Sequence, residues 1–175
     1  MDWSGLMTDE YERVSGFVEH VIDGLSKDEL DWRPKDDCNS IGWLVWHLTR
    51  QQDLQVSGLM DEEQLWIRDG WHSKFNMPAD EGDVGFGHTT EQVAAFKSPD
   101  VKTMLGYQKA VTERSKGYFQ TISGEDLDRE LDEPMFQPLP TVGVRLVSIV
   151  QEAVTHAGQA AYLRGLLKGR GWQTF

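Results

Sequence analysis

The chain has 175 residues, enough for one domain with a single core, and its 39% hydrophobic and 26% charged residues make an ordinary globular composition. Its 17 basic against 29 acidic residues give a net charge of −12, and a surface this acidic repels phosphate backbones and anionic bilayers, which argues against nucleic acid and membrane as partners. There is no apolar run of about 18 residues to span a bilayer. The Met1-Asp2-Trp3-Ser4 start lacks the basic head and apolar stretch of a secretory signal. The single cysteine, Cys38, cannot form an internal disulfide, so the expected compartment is cytoplasmic. Cys38 lies among Asp36, Asp37 and Asn39, and carboxylates beside a thiol disfavour its thiolate, so it is a poor nucleophile.

Helix one is expected from near Thr8, an N-cap followed by Asp9 and Glu10, with Val14, Phe17, Val18, Val21 and Leu25 at helical spacing. Gly24 and Ser26 end it. Ser26-Lys27-Asp28-Glu29 reads as a capping box for a short helical turn, and Trp32-Arg33-Pro34 as extended chain. Helix two follows Asn39-Ser40. Ile41, Leu44, Val45, Leu48 and Gln52 form its stripe, Trp43, His47 and Leu54 border that stripe, and an end is expected near Gly58.

Residues 59–99 show little periodicity. Glycines 82, 85 and 87 stand among Trp66, Trp71, His72, Phe75, Phe86 and His88, and Thr89-Thr90-Glu91-Gln92 is a second capping box for a short helix to Lys97. So long a connection is either functional or packed by its own aromatics. Gly85-Phe86-Gly87 follows no strand pattern and lacks the third glycine of a phosphate loop, so it reads as a turn. Helix three is expected to open with Ser98 as N-cap and Pro99 at its first position, to run from Val101 to Ile122 and to close at Gly124. A proline-rich loop over 132–140 precedes helix four, Val142 to Lys168, with Gly169 as its stop. Four long helices without a strand pattern predict an all-α four-helix bundle, one domain over 1–175, with a long connection between helices two and three.

On helix four, at about 100° per residue, Ile149, Glu152, Ala153, His156, Ala160, Leu163 and Leu167 share one face. A carboxylate on an inward apolar face is costly unless paired or bound to a cation, and Glu and His are good ligands for zinc-like divalent ions. A third ligand from another helix is needed. His47 is the best placed candidate and His20 a rival. The plain alternative is a solvated i,i+4 pair and a hydrogen-bonded core histidine. His72, His88 or Asp53 could act as a base if the activity were hydrolytic.

Ser40-Ile41-Gly42-Trp43-Leu44-Val45-Trp46-His47-Leu48 resembles the second-helix motif of the DinB-like superfamily, and Glu152-Ala153-Val154-Thr155-His156-Ala157-Gly158-Gln159, continued by Ala160 to Gly165, resembles its fourth-helix motif. The layout is similar to the branch that contains mycothiol-dependent maleylpyruvate isomerase. The resemblance implies a four-helix bundle holding one divalent metal through His47, Glu152 and His156, with zinc as first choice and nickel, iron or manganese as alternatives. It also implies a low-molecular-weight thiol such as mycothiol or bacillithiol, a small-molecule substrate and a homodimer. Many relatives carry His at the first position of the helix-four pair; this chain has Glu152, as in the isomerase-like branch. Gln159 and Arg164 belong to the same motif. Gln159 could orient a ligand, and Arg164 could pair with an acidic residue or an anionic substrate, although a structural role suits both. The resemblance favours a metal-dependent thiol S-transferase or isomerase. A non-enzymatic metal- or ligand-binding domain related to stress, and a metal-dependent hydrolase, stand as alternatives.

Overall fold

Each long helix begins at a side chain that accepts one of its unpaired backbone N–H groups. Asp2 opens α1 (Trp3–Ile22) by accepting from Gly5 N at 2.8 Å, and Ser26 caps the five-residue α2 (Lys27–Asp31) in the expected capping box with Glu29. Ser40 opens α3 (Ile41–Met60) through Trp43 N at 3.2 Å. The short helices α4 (Leu65–Arg68), α5 (Trp71–Lys74) and α6 (Thr90–Ala95) follow, the last inside the Thr89/Gln92 capping box. Asp100 opens α7 (Val101–Phe119) through Thr103 N at 2.7 Å, and Thr141 opens α8 (Val142–Lys168) through Val144 N at 3.3 Å. The computed structural model describes residues 1–172, so the last three positions of the expected 1–175 domain lie outside the described residues. Among the described residues the structure is all-helical, with one isolated bridge between Glu130 and Thr141 and no strand. None of its helices is long and apolar enough to cross a membrane.

The four long helices pack in a ring, α1 against α7 and α8, and α3 against the same two. Their inward faces form two apolar clusters. The larger includes Val18, Ile22, Leu44, Trp46, Leu48, Met104 and Ala157, and the smaller joins Tyr11, Val56, Phe119, Leu146 and Ile149 toward the other end. α3 is buried almost from end to end, because the connection from 61 to 100 covers the side that the ring leaves open. Trp66 and Phe75 from that connection meet edge to face with ring centroids 5.4 Å apart, and the Phe96 centroid lies 5.2 Å from that of Trp46. Each such aromatic removes about 150–250 Å² from water, which is why a segment with little helical periodicity holds one position.

Several helix ends differ from the sequence reading: α7 stops at Phe119 rather than Ile122 and α6 at Ala95 rather than Lys97, and three others show their cause. α1 starts at Trp3, five residues before the expected cap at Thr8; Asp2 takes that role, and Ser4 Oγ donates to Phe119 O at 3.0 Å, which ties the extra turn to the end of α7. The cap of α7 is Asp100, not Ser98, whose own N–H donates instead to Asp31 Oδ1 at 2.9 Å. A carboxylate two residues on competes better for a helix N-terminus than a hydroxyl that is already packed against Gly42. α3 continues past Gly58 to Met60 and ends on Asp61, which takes the left-handed conformation usual for a helix stop.

Candidate metal centre

α3 and α8 bring His47, Glu152 and His156 together. One ligand atom from each lies within 4.8 Å of the others. Glu152 Oε1 is 3.0 Å from His47 Nε2 and 3.0 Å from His156 Nε2. Glu152 and His156 meet because they are one turn apart on α8, and His47 reaches them because α3 packs directly on α8. His47 is buried, with its ring stacked on Trp43 at 4.8 Å, whereas Glu152 keeps a third of its side chain in solvent. The rival His20 is on α1, packed against Trp172 at 5.3 Å, and is not in this group.

The tautomers decide what the arrangement can do. His47 Nδ1 contacts the backbone carbonyl of Val84, which only accepts, so Nδ1 carries the proton. Burial lowers the pKa of His47 below its ordinary value, with His156 pushing the same way against the Val84 and Glu152 contacts, which favours the neutral ring; with Nδ1 protonated, the lone pair of that ring is on Nε2. His156 repeats the pattern: its Nδ1 lies 2.8 Å from Gln159 Oε1, and its Nε2 faces Glu152. Two imidazole nitrogens and a carboxylate oxygen thus converge. Two imidazoles with one carboxylate, each offering one atom within 4.8 Å of the others, suit a zinc-like divalent ion while leaving further coordination positions open. Each histidine has its second nitrogen held by an oxygen, as metal-binding histidines do.

The support of His47 was invisible in the sequence. Val84 belongs to the connection between α5 and α6, and its carbonyl reaches Nδ1 because Gly85 crosses tightly over the tryptophans. A Cβ on Gly85 would stand 2.8 Å from both Trp43 and Trp46 and 3.1 Å from His47 Nδ1, with a positive φ of 84°. Asp83 Oδ1 accepts from Gly85 N at 3.2 Å and from His88 Nε2 at 2.8 Å, and His88 Nδ1 accepts from Trp43 Nε1 at 3.2 Å. Beneath this loop lies Arg50, fully buried on α3 one turn from His47. It donates to the carbonyls of Asp80, Glu81 and Asp83 and to Gln64 Oε1 and Tyr107 OH. Asp53 accepts from Leu65 N, Trp66 N, Ser57 Oγ and Tyr107 OH, which holds α4 against α3. Burial, with Asp53 adjacent, drives the Tyr107 phenol well above its usual pKa, so it stays a donor. The sequence signal for this network was a charged pair, Arg50 and Asp53, inside a helix whose remaining positions are largely apolar.

The other residues singled out in the sequence fall into place. Gln159 contacts His156 as described. Arg164 serves no acidic partner; its Nη1 donates to the carbonyls of His20, Val21 and Asp23 and so closes the C-terminal end of α1. Asp53 and His88 have their polar atoms committed, and His72 pairs with Ser73 at 3.2 Å beside Trp66, so none of these candidate bases is offered to the triad. Cys38 is half-buried and is the one free thiol.

No curated protein matches the chain significantly. Among solved structures it is similar to a conserved protein from Enterococcus faecalis, at 31% identity and a TM-score of 0.88, covering 97% of this chain and 99% of that one. Residues 10–160 match the sequence profile of the DinB superfamily. With that match over most of its length, and a His-Glu-His group joining the two helices that carry its motifs, the chain belongs to the DinB superfamily.

Proposed function

We propose that the protein is a metal-dependent thiol S-transferase or isomerase of the isomerase-like branch, a one-domain cytoplasmic homodimer that acts on a small electrophile. One divalent ion, zinc by preference and otherwise nickel, iron or manganese, is held by His47, Glu152 and His156. The observation that carries this reading is the convergence of His47 Nε2 and His156 Nε2 on Glu152 Oε1 at 3.0 Å each, with each histidine's Nδ1 engaged by an oxygen. When bound, such an ion lowers the pKa of a coordinated thiol or water and stabilises the resulting anion. The chain's own residues fix the geometry. Val84 and Gln159 set the histidine tautomers, Trp43 holds the His47 ring in plane, and the exposed edge of Glu152 leaves an approach from solvent.

A low-molecular-weight thiol such as mycothiol as the nucleophile is supported by the lack of a suitable nucleophile in the chain, since Cys38 sits beside Asp37. Hydrolysis gains no support, because Asp53, His72 and His88 are engaged elsewhere. Metal content of the untagged protein beside His47→Ala and Glu152→Ala, followed by turnover of an electrophile with and without added thiol, tests the reading. One metal per chain lost in both variants, with thiol-dependent turnover, is the expected result. A wild-type protein that takes up none of the four metals refutes it. Metal without thiol-dependent turnover leaves a binding protein and refutes the enzyme.

A further inference from the structure

Asp83 and His88, from the loop that supports His47, also line a cavity of about 530 Å³, within the roughly 300–1,000 Å³ usual for small-molecule sites. Its apolar lining is Phe75, Met77 and Phe96, and both phenylalanines belong to the larger core cluster. Three lysines from separate segments line the same cavity: Lys27 opens α2, Lys74 ends α5 and Lys97 follows α6. On a chain with 29 acidic residues, Lys109, Lys116 and Lys168 each pair with a glutamate. Lys27, Lys35, Lys74, Lys97 and Lys102 form no ion pair among the described residues, and three of these five are the cavity lysines. Lys74 places its ammonium 3.6 Å from the centroid of the Trp71 ring, a contact that leaves its charge unneutralised. The two carboxylates of the cavity are engaged by their own segments. Asp83 Oδ1 accepts from Gly85 N and His88 Nε2, and Asp100 caps α7 through Thr103 N. In this one hollow lysines therefore outnumber aspartates, on a protein of net charge −12.

We infer that this cavity is a second ligand site, separate from the triad, for a small organic acid with an apolar body. The body lies on Phe75, Met77 and Phe96, and the acidic group is met by Lys27, Lys74 and Lys97. Removing the body from water supplies the affinity. The lysines supply the selection, because an anion gains from three cations at once, whereas a neutral molecule of the same shape gains nothing and a cation is repelled. The field of so acidic a chain repels anions at long range, so the lysines act within a Debye length, about 8 Å at physiological salt. None of His47, Glu152 and His156 lines the cavity, so binding there needs no metal. His88 has both ring nitrogens engaged, by Trp43 Nε1 and Asp83 Oδ1, and contributes shape rather than a base.

The probe is anilinonaphthalene sulfonate, an aromatic sulfonate whose fluorescence rises when it leaves water. Titrated into the full chain before and after EDTA treatment, it is expected to bind equally well in both. Phenylacetate should displace it. Benzyl alcohol, which lacks the charge, and acetate, which lacks the body, should displace it far less at the same concentration. Lys27→Met, Lys74→Met and Lys97→Met should each weaken binding by up to about fivefold, the size of one exposed ion pair, and the triple variant by more than about tenfold. Ala95→Trp, at an exposed position of the lining, fills the cavity and should abolish binding with every lysine in place. Circular dichroism should show unchanged helicity in all of these. A wild type that does not bind the probe, a triple variant that binds it as well as the wild type, or an Ala95→Trp protein that binds it unchanged overturns the site. Binding lost on EDTA treatment places the probe on an ion and overturns the separation from the triad.

Discussion

Gly85→Ala isolates the support of His47. The φ of 84° puts any side chain in a strained region worth about 1–2 kcal/mol. The new Cβ would press on Trp43 and Trp46 at 2.8 Å, and overpacking of this kind adds about 1–3 kcal/mol. The loop relieves the clash by lifting, which withdraws the Val84 carbonyl from His47 Nδ1 and forfeits a further bond of about 1 kcal/mol. Without that acceptor the imidazole is free to protonate on the wrong nitrogen and to rotate, and losses of such supports lower metal affinity by about 10–100-fold. Gly87→Ala is the matched control. Its φ of 77° is similar, but its Cβ would meet nothing within 4 Å, so it carries the strain without the clash. Competition with a chromophoric chelator should show the affinity loss in Gly85→Ala and less than about a threefold change in Gly87→Ala, below 1 kcal/mol. Equal affinities in the two variants would refute the claim that the loop sets the metal ligand.

Arg50→Met removes a fully buried cation that ties three loop carbonyls to α3 and should destabilise the protein by about 3–5 kcal/mol, read from urea unfolding of the metal-free form; a change below about 1 kcal/mol would mean that water replaces the guanidinium. Glu152→Gln substitutes a neutral oxygen for the anionic one at the triad, so added zinc should raise the melting temperature of the wild type and leave that of the variant unchanged, in a thermal melt with and without metal. Lys168 and the Ser26 backbone hold Glu29 at a pKa of about 2, below its ordinary 4.5. Its contribution to stability is therefore complete above the unfolded value and is lost as pH falls through the folded one, and Lys168→Met should flatten the acid limb of a stability profile between about pH 4.5 and 2. An unchanged limb would assign the acid sensitivity to other carboxylates.

The helices were legible in the sequence where local chemistry decides them. The Ser26/Glu29 and Thr89/Gln92 boxes form as read, and α8 runs from Val142 to Lys168 between Thr141 and Gly169. Errors arose where two caps compete, Thr8 against Asp2 and Ser98 against Asp100, because tertiary packing chooses between them and spacing does not. That His47, Glu152 and His156 come together was legible for a similar reason. Glu152 and His156 are related by helical periodicity, and His47 stood at the edge of the apolar stripe of a second helix, a choice over His20 that the resemblance then supported. The Val84 carbonyl could not be found this way, since a backbone atom leaves no mark on residue type. The one trace it leaves is Gly85, read in isolation as a turn residue.

α3 shows why these parts belong together. His47 and Arg50 are three residues apart and so lie on one side of the helix, toward the same loop. One contributes a ring that needs an acceptor, the other five donors that need acceptors, and the loop serves both through the backbone carbonyls of Asp80, Glu81, Asp83 and Val84. The loop is therefore held from below by a charge that cannot be moved without leaving buried groups unpaired, and that rigidity passes to Val84. The Val84 carbonyl fixes the tautomer of His47 before any ion arrives, while Glu152 stays partly exposed. A site prepared on its histidine side and open on its carboxylate side can take up a cation without reordering the core, which is the arrangement expected where a ligand or substrate must still reach the ion.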